Sequence, residues 1–75
     1  MSERLNPAWR VIQLLGGVRA TARAAEINPS AVSRWAMPRE KKGTSGAIPQ
    51  RHWSRLLGYA QRIKVKLTLN DLSGL

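Results

Sequence analysis

An all-α fold, a compact bundle of about five short helices, is predicted by two local signals and one periodic one. An asparagine followed by a proline occurs twice, at Asn6-Pro7 and Asn28-Pro29. Each pair matches a helix start: the asparagine side chain accepts a hydrogen bond from a free first-turn amide, and proline at the first helical position has no N–H to leave unsatisfied. Trp53, Leu56, Leu57, Ala60 and Ile63 then recur at the i, i+3, i+4, i+7 spacing of one helix face. The 75 residues make a single domain, residues 1–75, with no internal repeat and no linker long enough to divide it. A domain of this size buries only about 60% of the surface its unfolded chain exposes, so its large apolar residues are needed for the core.

The elements follow in order. The first helix is predicted from about Pro7 to Leu15, with Leu5, Ala8, Ile12 and Leu15 as its apolar stripe and Gly16-Gly17 as its stop. The second spans about Arg19 to Ala25, with Val18, Ala22 and Ala25 inward and Arg19 and Arg23 outward; the small Ala22 lets a neighbouring helix approach closely. The third runs from Pro29 to about Ala36, stopped by Pro38. Residues 38–47, PREKKGTSGA, contain almost nothing apolar and read as a basic loop. The fourth helix resumes near Pro49, with Arg51, Arg55 and Arg62 off its stripe. From Ile63 to Asn70 apolar and polar residues alternate strictly. That period fits either an extended connector with its apolar side on the helices or an edge strand paired with a second copy. Thr68 and Asp71 have the spacing of a capping box, which predicts a short final helical turn from Leu69 to Leu72.

Composition narrows the function. Thirteen Lys plus Arg stand against four Asp plus Glu, a net charge of +9 and a pI near 11.7, and such a balance calls for a polyanionic partner. No apolar run approaches the roughly 18 residues of a bilayer span, and the start MSERLNPAWR lacks the uninterrupted apolar core of a secretory signal. A cytoplasmic location, with no membrane partner, is therefore expected. The absence of cysteine excludes disulfides and thiolate metal sites, and His52 is the one histidine. Glu3, Glu26, Glu40 and Asp71 are scattered in sequence, so no carboxylate pair or nucleophile–base set emerges. Neither catalytic residues, a metal nor a cofactor is expected.

Residues 19–37, RATARAAEINPSAVSRWAM, outline two short helices joined by a tight turn, a helix-turn-helix. On the second of these helices Ser30, Ser33 and Arg34 share the outer face with Asn28 at its start, while Val32 and Trp35 fall on the opposite, core side. Arg34 is the prime candidate for base reading, since its guanidinium fork matches O6 and N7 of guanine; the plainer reading is a solvated arginine. Ser30 and Ser33 bond bases, phosphates or water with little preference. Asn28 fits the N-cap better than the base-reading role, although its amide can also face DNA. Arg19 and Thr21, near the start of the second helix, and Arg39, Lys41, Lys42 and Thr44 in the loop are candidate phosphate contacts. Their alternative is a solvated helix end and a flexible, soluble loop. Trp9, Trp35 and Trp53 all lie on apolar stripes and are expected in the core rather than stacked on single-stranded bases, and His52 reads as a surface or capping side chain.

Ala22, Ile27, Val32 and Trp35 are spaced as in the Cro/repressor type of helix-turn-helix, and the string SAVSRW is the most specific part. More broadly, GGVRATARAAEINPSAVSRW, GAIPQRHW and LTLNDL resemble small phage-type Cro-like regulators of bacteria and mobile elements, over about Trp9 to Leu72. The resemblance implies a lambda repressor/Cro-like bundle whose recognition helix maps onto Pro29 to Ala36, with Asn28, Ser30, Ser33 and Arg34 toward the bases. The chain departs from that family at Glu26, where glycine is usual because the turn prefers a positive φ.

Together these readings predict a sequence-specific regulator of transcription, a repressor, that binds double-stranded DNA as a homodimer in a bacterial or phage-infected cell, associated with the nucleoid. Pairing is expected because one recognition helix reads few base pairs, and two-fold pairs set helices about 34 Å apart. Val65, Leu67, Leu69, Leu72 and Leu75 are the apolar residues available for it. Two rivals remain open at this point: an architectural or excision factor that bends DNA for a recombinase, and an antagonist or antitoxin whose basic face docks on an acidic protein.

Overall fold

Five α-helices and two short 3-10 turns make up the regular structure of the computed structural model, which describes residues 4–74. The helices are α1 (Ala8–Leu14), α2 (Val18–Ala25), α3 (Pro29–Trp35), α4 (Trp53–Arg62) and α5 (Leu69–Ser73); the turns are Arg39–Lys41 and Gln50–His52. No strand occurs among the described residues, so the fold is all-α. The radius of gyration is 11.2 Å, close to the roughly 11 Å of a folded chain this long. One shared core is the result: Val11, Ile12 and Leu15 from α1 and its end, Ala22 and Ala25 from α2, Val32 and Trp35 from α3, Leu56 and Ala60 from α4, and Leu72 from α5 are all buried. Because the buried side of α2 is alanine and Thr21, both α3 and α4 pack against it.

Helix α1 begins one residue later than predicted, at Ala8, with Pro7 in the cap position. Asn6 still serves the helix start, since its Oδ1 accepts from the Arg10 amide at 3.1 Å. At the far end the Gly17 amide closes on the Ile12 carbonyl at 2.8 Å, and α2 starts immediately after, at Val18. The chain start is tied to distant parts of the fold: the Leu5 amide donates to Ala36 O at 2.8 Å, and the Ala8 amide to Gly46 O at 2.9 Å. The second crossing needs glycine, because Gly46 has φ +89° and a Cβ there would sit 2.3 Å from the Asn6 carbonyl oxygen.

The tryptophans are core residues. Trp35 is buried, and Trp9 and Trp53 lie half-buried against the same cluster. The Trp53 indole N–H donates to Ile48 O at 2.9 Å, which satisfies the one polar atom that burial would strand. Arg4 places its guanidinium 4.7 Å from the centre of the Trp9 ring. His52 stands half-buried at the N-cap position of α4 but makes no side-chain cap hydrogen bond; instead its ring lies 5.5 Å from that of Trp35, centre to centre, tilted by 32°. Burial, and then the charge of Arg51, lower its pKa from the ordinary 6.5.

The alternating segment is a connector. After α4 the Val65 amide closes on Ala60 O at 2.8 Å, Lys64 takes a left-handed conformation, and Val65 and Leu67 lay their side chains on the core without pairing as a strand. The predicted capping box is present: Asp71 N donates to Thr68 Oγ1 at 3.2 Å and Thr68 N to Asp71 Oδ2 at 3.0 Å. Hydrogen bonding from the Thr68 main-chain amide, and then from its side chain, lowers the pKa of the Asp71 carboxyl. The box starts α5, which continues to Ser73 and turns Leu72 inward. That corrects one expectation. Leu72 is 1% exposed and holds α5 to the bundle, so it is not available as dimer surface. Val65 and Leu67 are half-buried and Leu69 is 59% exposed, while Leu75 lies outside the described residues.

Candidate nucleic-acid interface

The α2–turn–α3 unit is built by local chemistry at three consecutive residues. Glu26 ends α2 in the left-handed conformation, φ 59° and ψ 43°, and the Ile27 amide closes back on Ala22 O at 3.0 Å. The position that resemblance assigns to glycine thus takes a positive φ with glutamate, at a backbone cost of about 1–2 kcal/mol. Its carboxylate is ion-paired with Arg55 of α4. Asn28 then caps α3: its Oδ1 accepts from the Ser30 amide at 2.9 Å and from the Ser30 hydroxyl at 2.8 Å, and Pro29 occupies the first turn.

The two faces of α3 separate as the residue spacing demands. Val32 and Trp35 are buried, while Arg34 and Ser30 are exposed and Ser33 is half-exposed. Arg34 has no carboxylate partner among the described residues, so its five N–H donors face solvent. Asn28 keeps its amide N–H groups for an outside acceptor while its oxygen does the capping. Ser30 has its hydroxyl proton committed to Asn28, which leaves its lone pairs outward.

Two predicted phosphate contacts are corrected. Thr21 is fully buried, and its hydroxyl donates to Gly17 O at 2.8 Å, one turn back. A buried β-branched side chain whose proton is already used cannot meet a phosphate. Thr44 donates its hydroxyl to Trp35 O at 3.1 Å and to Ala47 O. Its lone pairs alone would repel phosphate oxygens. Arg19 remains exposed, and Arg23, one turn further along α2, joins it at a cleft of about 470 Å³ lined also by Ala22, Ile27 and Pro29, beside the start of α3. The i, i+4 spacing of two outward arginines was the signal for Arg23 in the sequence.

The loop after α3 is built rather than slack. Main-chain amides of Thr44, Ser45 and Gly46 donate to Arg34 O at 3.0 Å, Met37 O at 2.8 Å and Trp35 O at 2.7 Å. Carbonyls at the end of α3, which an isolated helix would leave unpaired, are thereby satisfied. The close approach depends on Gly43, where a Cβ would sit 2.1 Å from Met37 O. Arg39 and Lys41 stand on the 3-10 turn inside this strap and Lys42 directly after it, all exposed. They are held in a fixed relation to Arg34 instead of trailing from it.

No protein-family model, curated protein or solved structure matches this chain. The candidate surface consists of an outward helix face with one guanidinium free of a carboxylate among the described residues, two arginines on the preceding helix, and three cations on a strapped loop at its end. All thirteen Lys and Arg side chains of the sequence are exposed. Among the described residues no cluster of three potential metal ligands occurs, and no helix is long and apolar enough to cross a membrane.

Proposed function

We propose that this chain is a sequence-specific, double-stranded DNA-binding regulator of transcription of the Cro/repressor helix-turn-helix kind, acting as a repressor with α3 in the major groove. The observation that carries the reading is the α2–turn–α3 unit, in which the residue at the turn adopts a positive φ and the next helix shows Arg34 to solvent with Val32 and Trp35 in the core. Base reading falls to Arg34, with Ser33, Ser30 and the Asn28 amide beside it. Arg19, Arg23, Arg39, Lys41 and Lys42 take phosphates on either side of the groove. The role is binding, not catalysis, and the place of action is a bacterial or phage-infected cytoplasm, at the nucleoid.

The protein acts as a homodimer that forms on the operator. Two protomers each carrying +9 repel in solution, and DNA phosphates cancel that charge. Size is compatible with the pairing: the molecule measures 34 × 26 × 23 Å, dimensions on the scale of the roughly 34 Å that separates successive major-groove faces of DNA. Leu69, with the outer edges of Val65 and Leu67, is the apolar surface left for the contact after Leu72 is assigned to the core.

Selection of bound sequences from a random duplex pool tests the reading. The expected product is a palindrome with half-sites about one helical turn apart. A pool that stays random after repeated rounds would remove sequence-specific regulation, and enrichment for bendable steps without a palindrome would favour an architectural role instead.

A further inference from the structure

On the side of α2 turned toward α4 lies a groove of about 450 Å³, lined by Arg23, Ala24 and Glu26 from α2 and its end and by Arg55, Gly58, Tyr59 and Arg62 from α4. No residue of α3 lines it. Its small residues, Ala24 and Gly58, recess it between arginines, and Tyr59 adds a half-buried ring. Glu26 pairs with Arg55, which leaves Arg23 and Arg62 without a carboxylate among the described residues.

Gly58 is the independent clue. It sits in the interior of α4, where glycine is less favourable than alanine. Neither of the usual reasons for tolerating it applies. Its φ is not positive, and a Cβ at this position would meet nothing within 4 Å. No neighbour inside the folded chain fills the space a side chain would take there, so the groove is open to an approaching group at Gly58.

We propose that this groove is a docking site for an acidic peptide segment of a partner protein, which sets carboxylates against Arg23 and Arg62 and an apolar side chain over Gly58 against Tyr59. A volume of this size suits a few side chains. A second copy of the chain is a poor occupant, because each copy carries +9 and has only four acidic residues, of which Glu26 and Asp71 are already engaged. A nucleic-acid backbone would gain nothing from the apolar floor of Ala24, Gly58 and the Tyr59 ring. No base-reading residue of α3 lines the groove, but Arg23 is shared with the proposed phosphate contacts, so a bound acidic peptide would compete with DNA for that one backbone contact and leave the reading face open.

The test is selection from a random peptide library displayed on phage against the immobilised protein, followed by affinity measurements on synthetic peptides from the enriched set. The expected peptides combine Asp or Glu with a large apolar residue, and lose about tenfold or more in affinity for the Arg62→Glu and Gly58→Leu variants. Gly58→Ala provides the folding control: its melting temperature rises by about 4–8 °C, because helix propensity improves and nothing inside is displaced. Enriched peptides without acidic character, or peptides that bind both variants as tightly as the unaltered protein, overturn the proposal. A larger loss on random duplex DNA than on peptide overturns it in favour of a nucleic-acid occupant. A lower melting temperature for Gly58→Ala would show that the glycine serves the fold, and the clue would fail.

Discussion

Replacing Lys41 and Lys42 together by alanine isolates the strapped loop as an electrostatic clamp. Both side chains are exposed, and the strap that holds their turn is made by main-chain amides of residues 44–46, so the substitution removes two charges and leaves the scaffold in place. Arg19, Arg23, Arg39, Lys41 and Lys42 together predict that log K for random duplex falls with log salt at a slope of about −4.5 per protomer, near −0.9 for each phosphate contact. Two contacts fewer reduce that slope by about 1.8. At 0.1 M salt the same arithmetic gives an affinity loss of about 60-fold, shrinking toward none at 1 M. Fluorescence anisotropy with a labelled random duplex across a salt series measures both quantities. Arg10→Ala is the matched control, because Arg10 lines a cleft with Asn6, Pro7, Asn70, Asp71 and Gly74, away from α2, α3 and the loop. It leaves the slope unchanged. An unaltered slope in the double variant, or an equal drop in the control, would refute the clamp and return the loop to a solubilising role.

Further outcomes follow from the core and the caps. Trp35→Ala removes a buried ring and the surface on which His52 rests, costing about 3–5 kcal/mol out of the roughly 4–11 kcal/mol available to a chain of this length. Urea titration followed by circular dichroism should find its unfolding midpoint sharply lowered, and a variant of unchanged stability that merely loses DNA would put Trp35 on the wrong face. Glu26→Gly exchanges left-handed strain for glycine's extra freedom and loses an exposed ion pair, so stability should stay within about 1 kcal/mol of the parent. Glu26→Val, branched at a positive φ, should lose about 1–2 kcal/mol more, and the opposite order would contradict the turn geometry. Acidification should weaken the fold in two stages. The His52 pKa is lowered from 6.5, so its contribution is present above 6.5 and lost as pH falls through the folded value. The Asp71 pKa is lowered from 3.8, so the capping box contributes above 3.8 and is lost in stronger acid. Melting curves of Asp71→Asn should lack the second stage alone; if they retain it, the box is not its source.

Local signals proved readable wherever one or two residues decide the backbone. Asn28-Pro29 capped α3 as its spacing predicts, and Thr68 with Asp71 formed both bonds of a capping box. The period of α4 and the opposition of Arg34 to Trp35 were likewise in the order of residues. What escaped were matters of direction and distance. A threonine near a helix start can point to solvent or bond back to the carbonyl four residues earlier, and only the packing around Thr21 chose the second. Strict alternation from Ile63 to Asn70 suits a strand or a connector equally, and with no strand beside it Val65 and Leu67 settled on the helices. The loop strap joins residues 44–46 to the end of α3 through main-chain bonds that carry no side-chain signature beyond the glycines. Leu72 faces inward for a tertiary reason too, since α5 packs against α1.

The most direct test of the DNA-reading claim is the affinity of Arg34→Ala for a selected operator and for random duplex, measured side by side at one salt concentration. Arg34 is exposed and has no carboxylate partner among the described residues, so its removal does not disturb the fold. A lost bidentate contact to guanine is worth about 1–3 kcal/mol, or about 5- to 150-fold, on the operator, with a much smaller loss on random DNA. Equal losses on the two duplexes would contradict base reading by α3.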